Sequence, residues 1–510
     1  MNRSEPSGYR EEGKSKRLEE REVDVIVVGA GIAGLSSALH LLQFNQSVCL
    51  LEKRSIVGGL GNYAVGLVTS APTSLQRKSN ISDSVEAFYR DLKTFSEKNG
   101  FTDLNTGHFL REYAGKSGKC IEWLMELGIE FGGPIPEAKG QIPRRLIFLP
   151  SIRDAILKMR DRFLEMGGQL IYNFHVDSLI VSETAGIDGV IGRNNERISR
   201  RKKCKKGVIL STGAFSSNAI LIKELIPSGD SGDSLVPDLN GDGIVMALEH
   251  FAATSNTDIF PIQLRFTGQS DESGYISSRN KRTGSSLPNT DFEYLKKFAL
   301  YTSPSPSLFR LGGILVDRSG NRFSDETLDL RYVALLANHL PDKETFVLLD
   351  QRIATELDKW PNYISTFPGK GYGYLSDYRQ FENEILYLAN DLRELASMIR
   401  AEPRVFETNI EKYNVMARSG KDLEFGRKTL SVLSTPPFYA LGPVKPVLTT
   451  TVGGLKTDTN CRVLDGQGKT VPGLYAIGDG SAGAVQLLPG THVGWALVSG
   501  MIAADYISKL

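Results

Sequence analysis

Cysteine is scarce in this 510-residue chain, and neither sign of charge predominates. The four cysteines lie far apart and include no C-x-x-C pair, which argues against a disulfide framework and against a cysteine metal site. Lys and Arg together number 60 against 59 Asp and Glu, a formal net charge of +1. This balance gives no electrostatic reason to expect nucleic acid or an anionic membrane surface as a partner. The six histidines form no metal-binding pattern either.

Long apolar runs are also missing. None approaches the ~20 residues that a helix needs to cross a bilayer, so no membrane span is expected. The first residues are charged and polar without the apolar core of a secretory signal, which predicts a disordered tail over 1–21 and a cytoplasmic location. A chain of this length exceeds one ordinary hydrophobic core and predicts two or three domains.

The most informative stretch is Val23–Gly34, with the sequence VDVIVVGAGIAG. Its β-branched run predicts a buried parallel strand, and a helical pattern follows it to about Phe44. The first glycine permits a tight turn, the second lets a pyrophosphate approach the backbone, and the third lets the helix pack close to the strand. The pyrophosphate would then meet the helix N-terminus. The predicted contact residues are Gly29, Ala30, Gly31, Ile32, Ala33 and Gly34.

A second strand, Ser47–Leu51, ends at Glu52, which is suited to accept hydrogen bonds from a ribose 2′-OH. Lys53 follows directly, and Gly58, Gly59 and Gly66 suggest backbone packed against a flat ligand. The strand, the glycine turn, the helix and the terminal acid together predict a bound dinucleotide. A glycine-rich turn without a ligand, or a plain flexible loop after Glu52, are the alternatives.

Three later segments bear on organisation. The basic run at 200–206, RRKKCKK, resembles a nucleic-acid signal but precedes a buried-looking strand, which favours a solvated hairpin edge. The character of the chain changes near Thr254, which suggests an inserted domain. The last seventy residues return to the first pattern, with a strand that ends at Asp479 and a final helix from Trp495 to Ile507. Asp479 suits sugar hydroxyls, and the helix N-terminus suits oxygens of a ring or a substrate.

Beyond about residue 22, the chain resembles the fumarate reductase/succinate dehydrogenase flavoprotein superfamily, including the 3-ketosteroid and tricarballylate dehydrogenases. The motifs that carry the resemblance include VVGAGIAGLSSALHL, GVILSTGAF, GGILVDRSGNRFSDE and GLYAIGDGSAG. The resemblance implies FAD, with its adenine beside Val176, its ribitol near Asp479, and further contacts at Gly213. It also implies an α/β fold, with a Rossmann-type FAD-binding domain (GR2-type, mixed parallel sheet) at 22–255 and 447–510 and an inserted α+β capping domain at 256–446.

Departures from the superfamily pattern bear on the substrate. Phe260-Pro261, Thr449–Thr451 and Leu487–Gly490 stand where soluble fumarate reductases carry histidines and an arginine that hold a dicarboxylate. Arg331, five residues after Glu326, resembles the spacing in tricarballylate dehydrogenase. The P-G-T sequence at 489–491 is similar to that enzyme and to the ketosteroid dehydrogenases, whose tyrosine before Pro-Gly is Leu488 in this chain.

The resemblance implies hydride transfer between flavin N5 and a carbon β to a carbonyl or carboxylate. Backbone amides around Gly490–His492 would polarise the substrate oxygen, and His492 or Arg331 would manage the proton. A capping role for His492 and an ion pair of Arg331 with Glu326 or Asp329 stay open. Weaker candidates are Tyr63, Tyr301 and Arg265, and the remaining histidines are predicted to be structural: His40, His108, His175, His250 and His339.

A second dinucleotide motif is not found in the sequence. The expected partners are therefore a small-molecule carbonyl or carboxylate substrate and a separate electron acceptor or donor, which is a quinone, oxygen or a redox protein. A flavin amine oxidase or monooxygenase shares the N-terminal motif but lacks GNRFSDE. A catalytically inactive flavin-binding protein is the other alternative.

Overall fold

The computed structural model describes residues 22–98, 104–137, 140–183, 186–226, 232–234, 236, 238–257, 262–267, 302–367, 371–381, 384–482 and 490–510. The predicted tail at 1–21, Phe260-Pro261, Tyr301 and Leu487–Pro489 lie outside these residues. The described chain forms an eight-stranded sheet, a six-stranded sheet and three smaller sheets, with helices packed around them.

The strands β1 to β21 span, in chain order, Val23–Val28, Val48–Leu51, Leu67–Thr69, Glu130–Ile135, Arg145–Leu149, Gln169–Ile171, His175–Val181, Ile187–Arg193, Ser199–Leu210, Asp233–Ser234, Thr254–Ser255, Ile262–Phe266, Ile314–Asp317, Thr345–Asp350, Ser365–Phe367, Gly371–Gly373, Leu386–Ala389, Phe438–Leu448, Gly454–Leu455, Arg462–Leu464 and Thr470–Ala476. The helices α1 to α14 span Ile32–Gln43, Ser74–Lys78, Val85–Lys98, Leu104–Glu126, Ile152–Glu165, Ala219–Leu225, Asp242–Leu248, Pro306–Arg310, Leu330–Asn338, Gln351–Thr355, Leu375–Tyr378, Leu392–Met398, Pro403–Ser419 and Thr491–Ile507. Short 3₁₀ turns lie at Gly59–Tyr63, Glu356–Asp358, Arg379–Phe381 and Gly478–Gly480.

The large sheet is built around β1. This strand pairs in parallel with β2 on one side and with β9 on the other, and the sheet order is β20-β21-β9-β1-β2-β6. Strands β7 and β8 form a hairpin that continues into β9. The apolar run Val25–Val28 is buried, as expected for a parallel strand covered on both faces. The predicted α/β fold, a Rossmann-type domain with a mixed parallel sheet and a second domain with its own sheet, is confirmed.

The two ends of the chain meet at this sheet. Strand β21 pairs in parallel with β9, with Ala476 opposite Leu210. Helix α14 packs on α1, and Ser36 donates a hydrogen bond from Oγ to the Leu497 carbonyl at 2.8 Å. A Cβ added at Gly500 would lie 2.7 Å from the Ala33 carbonyl oxygen, so the two helices are in close backbone contact. The last helix therefore lies directly on the opening glycine turn.

The second large sheet belongs to the cap, the part of the chain built mainly from described residues between 302 and 448. Its long strand β18 pairs with β10, β12, β14 and β17. Strand β10 comes from 233–234, before the predicted boundary at 255/256, and β18 ends at Leu448, after the predicted boundary at 446/447. The domain boundaries stay a prediction.

A buried ion-pair network fixes the interior of the cap. Arg322 and Arg427 both contact Glu326, at 2.8 Å each, and Arg322 also contacts Asp422 at 3.0 Å. All four side chains are almost completely buried. The motif GNRFSDE therefore contributes Arg322 and Glu326 to the buried ion pairs of the cap.

The small sheet β3-β5-β4 lies between the large sheet and the cap. Leu67, Ile135 and Ile147 from this sheet form a separate hydrophobic cluster with Tyr372 of the cap. Tyr372 also donates a hydrogen bond from its hydroxyl to the Pro136 carbonyl. This sheet is therefore a contact between the cap and the rest of the protein. No helix among the described residues is long and apolar enough to cross a membrane.

Candidate active site

An elongated cavity of about 1220 Å³, including its open mouth, runs along the carboxyl ends of β1, β2 and β9. Its walls come from segments that are far apart in sequence: the glycine turn after β1, the end of β2, the start of β7, the turn after β9, and the start of α14. The carboxyl edge of a parallel sheet is the usual place for a ligand in a doubly wound α/β fold. The topology therefore positions this cavity.

The glycine turn fits a pyrophosphate. Gly31 is the N-cap of α1 without a capping side chain, and a Cβ added there would meet nothing within 4 Å. By contrast, a Cβ at Gly34 would overlap the Gly29 carbonyl oxygen and lie 2.7 Å from Ser211 Oγ. Gly31 thus faces open space beside free helix N–H groups, and Gly34 is required for packing. The close packing predicted for Gly34 is observed, and the pyrophosphate contact of Gly31 stays a prediction.

Glu52 lies at the end of β2 with its side chain in the cavity wall. One carboxylate oxygen accepts the Ala30 N–H at 2.8 Å, and the other accepts the Arg54 N–H at 2.9 Å. Burial raises the pKa of Glu52, although these two hydrogen bonds and the neighbouring cations act against it. A carboxylate has about four acceptor positions, so hydroxyl donors of a ribose can still bind to it.

Two ion pairs lie beside Glu52, and sequence reasoning missed them. Lys53 Nζ contacts Asp242 Oδ2 at 2.7 Å, and Arg54 contacts Asp238 at 2.6 Å. All four of these residues line the cavity. The segment 238–242 is thereby held against the residues after β2. The sequence Gly241-Asp242-Gly243 at the start of α7 contains one of these acids, but no local pattern indicates that Asp242 pairs with Lys53.

The opposite end of the cavity carries the groups suited to chemistry. Asp479 follows β21, and its carboxylate accepts a hydrogen bond from Thr450 Oγ1 at 3.0 Å. His492 Nδ1 lies 3.6 Å from Asp479 Oδ1, and both residues line the cavity. Gly490, with φ +80°, is the N-cap of helix α14 and has no side chain that could cap the first turn. The Gly490 carbonyl accepts the Thr69 N–H at 3.0 Å, which fixes the turn.

Most predicted cofactor contacts lie in the cavity wall. Those that line it are Gly29, Gly31, Ile32, Ala33, Glu52, Lys53, Gly58, Gly59, Val176, Gly213 and Asp479. Three others act through packing. Ala30 donates its N–H to Glu52, Gly34 packs against Gly29, and a Cβ at Gly66 would lie 3.2 Å from Ile152 Cβ. Gly66 is not among the residues that line the cavity. It has a φ of +85°, and its lack of a side chain leaves room for Ile152 at the start of α5.

Arg331 lies elsewhere. It is in the first turn of α9 on the cap, is not among the residues that line the cavity, and forms an ion pair with Asp329 at 2.8 Å. Hydrogen bonding by Arg331 lowers the pKa of Asp329. The alternative of an ion pair, raised from the sequence, is therefore the arrangement that the structure presents. His175, expected to be structural, lies in the cavity wall beside Val176.

The glycine turn, the acid at the end of β2 and the last helix together enclose a cavity at the edge of a Rossmann-type sheet. This arrangement defines an FAD-binding flavoprotein. The chain belongs to the FAD binding domain family, whose model matches residues 24–489.

Among curated relatives, the chain is 24% identical over 500 residues to the vinyl phenol reductase of Lactiplantibacillus plantarum, with 94% of each chain covered. It is 26% identical over 498 residues to a probable fumarate reductase of Shewanella frigidimarina, covering 95% of this chain and 74% of the relative. Among solved structures, the open conformation of a flavocytochrome c3 fumarate reductase matches with a TM-score of 0.75 at 23% identity, covering 96% of this chain and 78% of that one. The predicted superfamily, the FAD cofactor and an oxidoreductase acting on CH–CH groups are confirmed.

Proposed function

We propose that the protein interconverts a C=C bond and a CH–CH bond next to a polarising carbonyl or carboxylate. FAD, when bound, supplies the exchange of a hydride at N5 of its flavin ring. The observation that carries the proposal is the grouping of Asp479, His492 and the start of α14 at one end of the cavity. The glycine turn and Glu52 would hold the pyrophosphate and the ribose at the other end.

The start of α14 provides electrostatic help. Free N–H groups at a helix N-terminus, with the positive end of the helix dipole, stabilise negative charge on a substrate oxygen. Such charge develops when a carbonyl is polarised for attack at its β carbon. Gly490 adopts a left-handed conformation and its carbonyl accepts the Thr69 N–H. The amides around Gly490–His492 would therefore be oriented before the substrate binds.

His492 is the group proposed to move the proton at the α carbon. Imidazole side chains are common general acids and bases in enzymes that work at neutral pH. Asp479 lies beside Nδ1, which would orient the ring and leave the other ring nitrogen for the substrate. Thr450 in turn holds the second carboxylate oxygen of Asp479. This chain of contacts resembles the base–orienter arrangement of general acid–base sites.

The substrate class stays open between a neutral carbonyl compound, as in the ketosteroid dehydrogenases, and a polycarboxylate. The pairing of Arg331 with Asp329 on the cap favours the neutral class, since the predicted carboxylate-binding arginine does not line the cavity. The similarity to a vinyl phenol reductase over 94% of both chains also supports an uncharged substrate. A quinone, oxygen or a redox protein would exchange electrons with the flavin.

The test compares His492→Ala with His339→Ala, a matched change at an exposed histidine of the cap. Reduced flavin is mixed with a panel of activated alkenes, and its reoxidation is followed at 450 nm without oxygen. We expect His492→Ala to slow reoxidation by ~10²-fold or more with FAD content intact, because a positioned general acid contributes about this factor. Rates within a few-fold of the parent would refute the role of His492.

Arg331→Ala is measured alongside. The proposal predicts little change in this variant. A loss comparable with that of His492→Ala would instead restore the polycarboxylate class.

A further inference from the structure

A second cavity opens between the small sheet and the cap. It measures about 1110 Å³ including its mouth. The small sheet contributes Ile135, Ile147 and Leu149, and the cap contributes Trp360, Tyr372 and Tyr374. Aliphatic side chains therefore face aromatic rings across this space.

The aromatic wall is held in place by its own packing. The Trp360 and Tyr372 rings lie 4.7 Å apart between centroids, and Tyr363 packs behind them, 4.5 Å from Tyr372. The Tyr372 hydroxyl donates to the Pro136 carbonyl and accepts from Arg145 at 3.1 Å, which fixes the ring. Trp360 is 38% exposed, so part of its ring stays accessible. The wall is preformed, which lowers the entropic cost of binding a rigid ring.

The charge in this wall selects against anions. Among the described residues that line the cavity, Asp377 carries the one carboxyl group, and none is a lysine, an arginine or a histidine. Arg145, which donates to the Tyr372 hydroxyl, is paired with Glu137. Among the described lining residues, a carboxylate ligand would meet the negative charge of Asp377 and no cationic side chain. A planar uncharged ring would instead gain contact with three aromatic side chains.

The cavity is close to the proposed reaction end of the FAD site. Leu67 of β3 pairs with Ile147 in the cavity wall, and Thr69, two residues further on, donates its N–H to Gly490. Two residues of a strand span ~7 Å. The side chains of Leu67 and Thr69 point to the same face of β3, as alternate residues of a strand do. Strand β3 therefore contacts both a residue in the wall of this cavity and the turn that precedes α14.

We propose that this aromatic cavity binds the planar, uncharged ring of the substrate, so that the protein acts on aryl-substituted alkenes. This inference rests on the proposed function, because it names the substrate class of that reaction. The ring would lie against Trp360, Tyr372 and Tyr374, and the alkene side chain would extend along β3 towards Gly490.

Binding is tested first, independently of turnover. The FAD-loaded protein is titrated by calorimetry with 4-ethylphenol, which has the ring but no reducible double bond. We expect Trp360→Ala to weaken binding at least tenfold and Trp360→Phe to stay within about threefold, since phenylalanine keeps an aromatic face. Tyr332→Ala, at an exposed aromatic residue of the cap, is the matched control and should bind as the parent does. Absorbance at 450 nm and thermal unfolding verify that each variant is folded and loaded.

Turnover is then compared between methyl 4-hydroxycinnamate and fumarate, using reduced flavin. The inference predicts a strong preference for the cinnamate ester. Its KM should rise about tenfold in Trp360→Ala, while kcat stays within threefold of the parent. Parental binding of 4-ethylphenol by Trp360→Ala, or a preference for fumarate, overturns the inference. If 4-ethylphenol binds at Trp360 but no alkene reoxidises the flavin, the proposed function fails and the ring site stands. If acrylate is reduced and the Trp360 changes do not affect binding of 4-ethylphenol, the ring site fails and the proposed function stands.

Discussion

Two glycines three residues apart should respond in opposite ways to the same added methyl group. In Gly31→Ala the new Cβ enters open space, and the φ of −73° suits alanine, so the apoprotein should keep its stability or gain about 0.4–1 kcal/mol. FAD would lose its close approach to the backbone. Overpacking of about 1–3 kcal/mol corresponds to a dissociation constant that is roughly 5- to 150-fold weaker.

In Gly34→Ala the new Cβ overlaps a backbone carbonyl, which cannot move aside as a flexible side chain can. We expect a loss of about 3 kcal/mol or more and a Tm of the apoprotein lowered by about 6 °C. Gly115→Ala in α4 is the control, because its Cβ also meets nothing within 4 Å but is remote from the cavity. FAD binding is measured by quenching of flavin fluorescence and stability by thermal unfolding. Parental FAD affinity in Gly31→Ala would refute a pyrophosphate beside Gly31, and a parental Tm in Gly34→Ala would refute the close packing.

Two further predictions concern buried charge. Burial raises the pKa of Glu52, so the stability that this group contributes is present below its unfolded pKa and is lost as the pH rises through the folded pKa. In thermal unfolding of the apoprotein from pH 4.5 to 7.5, Glu52→Gln should therefore gain on the parent as the pH rises, and an unchanged difference would contradict the linkage. Arg427→Ala leaves Glu326 buried and short of a partner and should cost about 3–5 kcal/mol in denaturant unfolding. Arg418→Ala, which removes an exposed pair with Glu411, should cost about 1 kcal/mol or less, and equal losses would refute the importance of burial.

The cofactor end of the site was predictable because its signals are local. Gly29, Gly31 and Glu52 lie within one βαβ unit, where a turn, a helix N-terminus and a strand end are fixed by neighbouring residues. The pairing of Arg54 with Asp238 joins positions 184 residues apart, and no local pattern indicates such a contact. The predicted cofactor contact of Gly66 stays a prediction, because Gly66 is not among the residues that line the cavity. A left-handed glycine serves a ligand or a packed helix equally well, and only the fold reveals that Ile152 is its neighbour.

In the cap, the sequence pattern alone predicts a helix at about Leu330–His339, and the structure has one over Leu330–Asn338. Strand β18 was missed although it is the longest strand of the cap sheet. It contains Pro443 and Pro446, and proline in a run argues against a paired strand. The last helix begins at Thr491, four residues before the predicted Trp495. Its first turn is glycine-led and lacks a capping side chain, so the usual start signal was absent.

The contact of α14 with α1 has a consequence during synthesis. The glycine turn is synthesised first, yet the wall that includes Asp479 and His492 comes far later in the chain. Domains generally fold as units as they emerge, from the N-terminus onward. This one cannot close around its cofactor until α14 has been synthesised, so the first strands of the sheet must wait without their partner β21. A chain that stops before β21 and α14 should therefore be colourless.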